Sequence, residues 1–158
     1  MLTCSTETDM WQRTQEMTFV GIAKQQVWDA WSDVNNWHLW DTDIEYARMS
    51  EPFRAGAKFE LKPRGGPRVK IELLRVAKLE GYTDLTRFPL ARMYGIHDMV
   101  ETKDGLRLTI TMRVEGPLSF VWRKLVAEKV AAENPAQLES LARYARHVRG
   151  KGESKLPA

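Results

Sequence analysis

Leu106-Arg107-Leu108-Thr109-Ile110-Thr111-Met112-Arg113-Val114-Glu115-Gly116-Pro117-Leu118 decides the architecture. Leu106, Leu108, Ile110, Met112 and Val114 alternate with Arg107, Thr109, Thr111, Arg113 and Glu115. Successive side chains of a strand point to opposite faces, so this segment is a strand with one dry face and one wet face. Antiparallel sheets with a solvated side have that pattern. Gly116-Pro117 ends the strand, and proline suits the first turn of a helix. Beyond it, Leu118, Val121, Trp122, Leu125, Val126, Leu138, Leu141, Ala142 and Ala145 form a broken helical stripe over 118–148. A half-dry sheet followed by one long amphipathic helix predicts an α+β fold in which the helix covers the sheet. Pro135 lies inside the stripe and is expected to kink the helix, because it removes a backbone hydrogen bond and its ring clashes with the preceding turn.

Upstream, the same alternation recurs in short runs. Residues 11–19 read as a first strand, with Trp11, Met17 and Phe19 in one row. Residues 44–49, 57–61, 69–76, 82–88 and 91–102 follow as further strands. Pro63-Arg64-Gly65-Gly66-Pro67 between two of them is a turn. Asp104-Gly105 before residue 106 is a strong hairpin signal. The sum is a curved antiparallel sheet of about six to seven strands.

The segment 27–41 interrupts this β pattern with four of the chain's six tryptophans. Trp28 and Trp31 are three apart, as are Trp37 and Trp40, and on a helix each pair shares a face. Ser32-Asp33 and Asn35-Asn36 favour caps and turns over helix interiors. Two short helices, 24–32 and 34–40, are therefore expected, with indole surface turned inward and each N–H in need of a partner.

The 158 residues suit one domain, placed at 9–148, with flexible termini at 1–8 and 149–158. A hydrophobic fraction of 43% and a charged fraction of 28% are ordinary for a soluble globular protein. No apolar run approaches the roughly 18 residues of a membrane span, so no membrane insertion is expected. The first nine residues lack the basic and apolar blocks of a signal peptide, which makes a cytoplasmic location the expectation. Cys4 is the only cysteine. Arg143, Arg146, Arg149, Lys151 and Lys155 face only Glu153 at the C-terminal end, so the basic excess is a solvated tail rather than a stripe that binds nucleic acid or a membrane surface.

Local motifs give this order of elements a family. Val27-Trp28, Ser32-Asp33-Val34 and Trp37-His38-Leu39-Trp40-Asp41, then Pro52-Phe53 and Gly56 before Phe59, then Gly116-Pro117-Leu118, resemble segments of the SRPBCC superfamily. That group includes START-like and polyketide cyclase/dehydrase-like proteins. The likeness extends over about residues 9–148. It implies the helix-grip fold and an elongated cavity between sheet and helix for a small hydrophobic partner, cyclic, lipid-like or polyketide-like. No cofactor is expected, because no phosphate-binding glycine loop or dinucleotide fingerprint is present.

On that implication the wall candidates are Trp31, Trp40, Phe59, Ile71, Leu73, Met93, Ile110, Met112, Trp122, Leu125 and Val126, each of which otherwise reads as plain core. His97 shares a strand face with Met93, Gly95 and Met99. It either orients a ligand and moves protons, or is a structural histidine of the sheet. Asp84 would have a raised pKa if it pointed inward, and its face is open. His97 with Asp84 or Tyr94 would be the acid–base set of a polyketide cyclase/dehydrase-like enzyme. A protein-interaction domain on the same fold is a further alternative. His38 and His147 read as exposed, and three dispersed histidines match no metal spacing.

Overall fold

The computed structural model describes residues 10–147. The termini assigned to 1–8 and 149–158 lie outside these residues. Seven antiparallel strands form one sheet in the order β1-β7-β6-β5-β4-β3-β2. They are β1 Met10–Phe19, β2 Ile44–Arg48, β3 Lys58–Pro63, β4 Val69–Ala77, β5 Gly81–Phe88, β6 Ala91–Thr102 and β7 Gly105–Glu115. Helix α1 (Lys24–Ser32) and a 3-10 turn (Val34–Leu39) follow β1. After β7 the chain turns helical as α2 (Ser119–Trp122), a π-helical turn (Arg123–Ala127) and α3 (Glu128–His147). This is the helix-grip fold.

Register sets which side chains face the helix. Leu108 lies opposite Met17 and Met99, and Ile110 opposite Gln15 and His97. Gly95 lies opposite both Met112 and Asp84, and Tyr82 opposite His97. Leu73 lies opposite Asp84. The dry row of β7 therefore continues across the sheet as one inner face. Leu138, Leu141 and Ala145 of α3 pack on it as part of the main core.

The tryptophan segment caps one half of this interior. Trp28, Trp31, Trp37 and Trp40 are all buried. Trp37 Nε1 donates to the Trp31 carbonyl at 3.0 Å. The break between the two helices is held by Asn35, whose amide donates to the Met49 carbonyl and accepts from the Met49 N–H at 3.1 and 3.0 Å. The turn-forming asparagine thus ties the segment to the end of β2.

The long helix departs from expectation. α3 passes through Pro135 without interruption, and the irregularity lies earlier, in the π turn. A π turn inserts one residue and rephases the faces of a helix. Here Ala127 packs on Ala91 and Val114, while Trp122 Nε1 donates to the Pro89 carbonyl at 2.9 Å. The extra residue lets both ends dock.

Gly116 makes the strand-to-helix turn possible. It has φ +116°, and a Cβ there would lie 2.7 Å from the Leu90 carbonyl oxygen and 3.0 Å from Ala91 Cα. Both obstacles are backbone. Gly116→Ala is expected to lower stability by roughly 2 kcal/mol, read as a lower urea midpoint with an unchanged slope.

Candidate functional site in the interior

Alternation along β5 and β6 places Tyr82, Asp84 and Thr86 with Met93, Gly95 and His97 on the inner face. Gly95 makes the room. A Cβ on it would sit 2.8 and 2.9 Å from the two carboxylate oxygens of Asp84, which therefore lie over the glycine. His97 Nδ1 stands 3.8 Å from Asp84 Oδ2, beyond hydrogen-bond length. The imidazole is held by rings instead. Tyr82 stacks on it at 4.2 Å and 8°, and Trp31 meets it edge-on at 5.9 Å. Its Nδ1 is buried and has no hydrogen-bond partner.

Burial governs the charge of this pair. Desolvation raises Asp84 to about 7 and lowers His97 to about 4. When the pH is low enough to protonate His97, Asp84 is already neutral, so no ion pair forms. Near neutrality the site holds an uncharged imidazole beside a carboxyl group that is about half protonated. Such a group can donate a hydrogen bond to an oxygen or take a proton from one. The Asp84 and His97 side chains remain 17% and 12% accessible although they face inward, so water can touch both. Tyr82, fully enclosed, has its hydroxyl pKa raised well above normal by desolvation and by the carboxylates of Asp84 and Asp41.

The rest of the interior divides in two. Trp31, Trp40, Phe59, Ile71, Leu73, Ile110 and Met112 are all buried in close packing. Beside Trp31, Phe59 meets Trp37 edge-on and Phe53 meets Tyr82 edge-on, and a tilted Trp37–Tyr82 contact joins the two pairs. Met93, Trp122 and Val126 are half-buried, towards the end of the sheet where α2 docks. Trp40 Nε1 and Asn134 Nδ2 are buried without partners. Gln137 donates to Asp41 at 2.6 Å, which ties this part of α3 to the residue after Trp40.

Two expected site residues are elsewhere. Tyr94 lies on the outer face, where its hydroxyl donates to Glu115 at 3.1 Å and Arg113 covers its ring at 4.8 Å. Strand parity is the reason, because with Gly95 and Met93 inward their neighbour must point out. Leu125 is 65% exposed, since the π turn rotates it off the stripe that a regular helix would give. His38 and His147 are exposed. Tyr82 and Thr86 were missed as site neighbours. The parity that joins them to Asp84 was available in the sequence.

Among the described residues no group of three histidine, cysteine or acidic side chains is placed to hold a metal ion, and no helix is long and apolar enough to cross a membrane. The profile of the family described as polyketide cyclase / dehydrase and lipid transport matches residues 10–146. No curated protein matches the sequence. Several solved structures share the fold at low identity. The di-domain ARO/CYC protein StfQ of the steffimycin biosynthetic pathway superposes with TM-score 0.70 at 12% identity, covering 86% of this chain and 50% of that one. This chain thus spans about half of the di-domain protein. A point mutant of norcoclaurine synthase from Thalictrum flavum, in complex with a transition-state analogue, gives TM-score 0.66 at 12% identity, covering 87% and 95%. Ara h 8.0201 gives 0.66 at 11%, covering 86% and 97%. At such identities the likeness concerns the fold alone.

Proposed function

We propose that this chain, which belongs to the polyketide cyclase / dehydrase and lipid transport family, binds one small, largely apolar molecule between the inner face of the sheet and the C-terminal helix. Family and fold are consistent with hydrophobic-ligand binding or a polyketide cyclase-like activity. The observation that carries the proposal is the Asp84–His97 pair: two largely buried, water-touched polar groups on a mostly apolar face, with a glycine beside them. Binding draws on burial of ligand surface at about 25 cal/mol per Å². The pair fixes orientation by meeting a ligand oxygen, and Met93 supplies an adaptable wall.

Acid–base chemistry on the bound molecule is the second reading. It is favoured by one observation, the Asp84 pKa of about 7, which suits proton transfer near neutral pH. The synthase and ARO/CYC neighbours make it worth testing.

Titration with the apolar fluorophore 1-anilinonaphthalene-8-sulfonate is expected to saturate at one equivalent. Met93→Trp, which fills the half-buried part of the inner face, is expected to weaken that binding about tenfold or more while the chain stays folded. Unchanged binding in Met93→Trp would overturn the interior site. Native mass spectrometry of freshly purified protein then identifies what it carries. Retained binding with lost turnover of that molecule in Asp84→Asn would establish the second reading.

A further inference from the structure

One end of the sheet presents a surface that the interior site does not use. The β3–β4 turn, the β5–β6 turn and α2 with the π turn all lie there. Ile71 opposite Thr86 brings the first beside the second. Trp122 stacks on Phe88 at 4.4 Å, and the Leu118 N–H donates to the Leu90 carbonyl at 3.0 Å, which docks α2 on the β5–β6 turn. Leu90 is 65% exposed, and Phe120 and Leu125 are exposed with it.

Leu90 is in the wrong place for its own chain. It has φ +54°, a conformation that glycine or asparagine adopts far more readily. The only other non-glycine residue with positive φ among the described residues is Leu79, at +64°, and its side chain packs against the core. Leu90 packs against no core. The backbone carbonyl of Leu90 anchors α2, but the side chain points into water and gains no packing within the molecule.

Cations predominate in the turns around it, although Asp43 and Glu45 at the start of β2 lie beside Arg64 and Lys62. Segments 64–68, 87–92 and 117–127 contain Arg64, Arg68, Arg87, Arg92, Arg123 and Lys124 and no acidic residue. Glu60, Glu72, Glu115 and Glu128 approach four of these arginines from the strand bodies and the start of α3. Arg68, Arg87 and Arg92 stay exposed all the same. An open groove of about 300 Å³ runs between Arg87, Arg92, Leu90 and Pro117.

We infer that this end, with Leu90, Phe120 and Leu125 as apolar tips and the six cations around them, docks on the surface of an anionic lipid bilayer. The apolar tips are exposed, one of them at the end of a hairpin, and they suit insertion among acyl chains. The cations meet headgroup phosphates, and the groove seats one of them. A nucleic acid would use the cations and leave the leucines wet. The contact is made by side-chain tips and needs no spanning helix. It does not depend on the interior site.

The test is flotation of the full chain with phosphatidylcholine vesicles, with and without about one-third phosphatidylserine. Binding is expected only with phosphatidylserine, and added salt should weaken it. Leu90→Gly is expected to cut partitioning about threefold or more while leaving thermal stability equal or higher, because glycine relieves the left-handed backbone. Phe120→Ser with Leu125→Ser should cut it about tenfold or more. Val20→Ser, at an exposed apolar residue of the opposite end, should leave it unchanged. No binding to anionic vesicles overturns the inference, including the case where the chain binds duplex DNA or an acidic protein instead. So does wild-type binding in the apolar variants, which would trace attachment to the basic tail.

Discussion

Asp84→Asn is expected to make the protein more stable at pH 8, by up to about 4 kcal/mol, since each unit of pKa shift corresponds to about 1.4 kcal/mol. In the folded chain Asp84 holds its proton up to about pH 7, whereas an unfolded aspartate releases it near 3.8. The folded state thus binds more protons between those values, and stability falls as pH rises through that window. His97 has the opposite sign. Its pKa drops from 6.5 to about 4 on folding, so its contribution makes stability rise with pH between those values. From about pH 4 to 6.5 the two slopes cancel: unfolding moves a proton from the carboxyl group to the imidazole and exchanges none with solvent. Wild-type stability should be nearly flat there as far as this pair decides it, then decline towards pH 7. Asp84→Asn should uncover the histidine slope, a gain of about 3 kcal/mol between pH 4 and 6.5. Urea midpoints over a pH series measure all of this. A difference between variant and wild type that does not change with pH would show that Asp84 titrates like a surface carboxylate, and the acid–base reading would lose its basis.

Trp31→Ala is expected to lower stability by about 3–5 kcal/mol, the range for emptying a large buried aromatic site. Trp31 is 1% exposed and meets both Tyr82 and His97 edge-on. For a chain of this size the loss corresponds to a thermal midpoint about 10 °C lower. A second readout separates packing from site geometry. With the indole gone, more water reaches the imidazole and its buried Nδ1, and the His97 pKa should climb from about 4 towards its ordinary value of 6.5, followed by NMR of the ring protons. A destabilised variant whose His97 still titrates near 4 would show that Tyr82 and the sheet, not Trp31, keep water from its Nδ1.

Much of the fold can be read in short stretches of sequence. The period-2 row Leu106 to Val114, the Asp104-Gly105 turn and the Gly116-Pro117 stop act within a few residues, and the structure has β7, the β6–β7 hairpin and the helix start where they place them. The tryptophan pairs likewise lie inward on a helix and a 3-10 turn. Parity alone also puts Tyr94 on the face opposite His97, a consequence the candidate set overlooked.

Local order has a limit, because periodicity gives the two faces of a strand without saying which one is covered. Asp84 became an inner-face residue only through its pairing with Gly95, and thereby with the dry row of β7. Its distance to His97, its desolvation and the opposed pKa shifts of the two groups come from α3 and the rings around Trp31 closing over that face. The π turn that turns Leu125 outward is likewise a compromise between two distant docking points, Trp122 on the β5–β6 turn and Ala127 on β6 and β7. Strand and turn propensities act between neighbours along the chain and are written in it directly, whereas burial and electrostatics depend on what folds over a residue from far away in sequence.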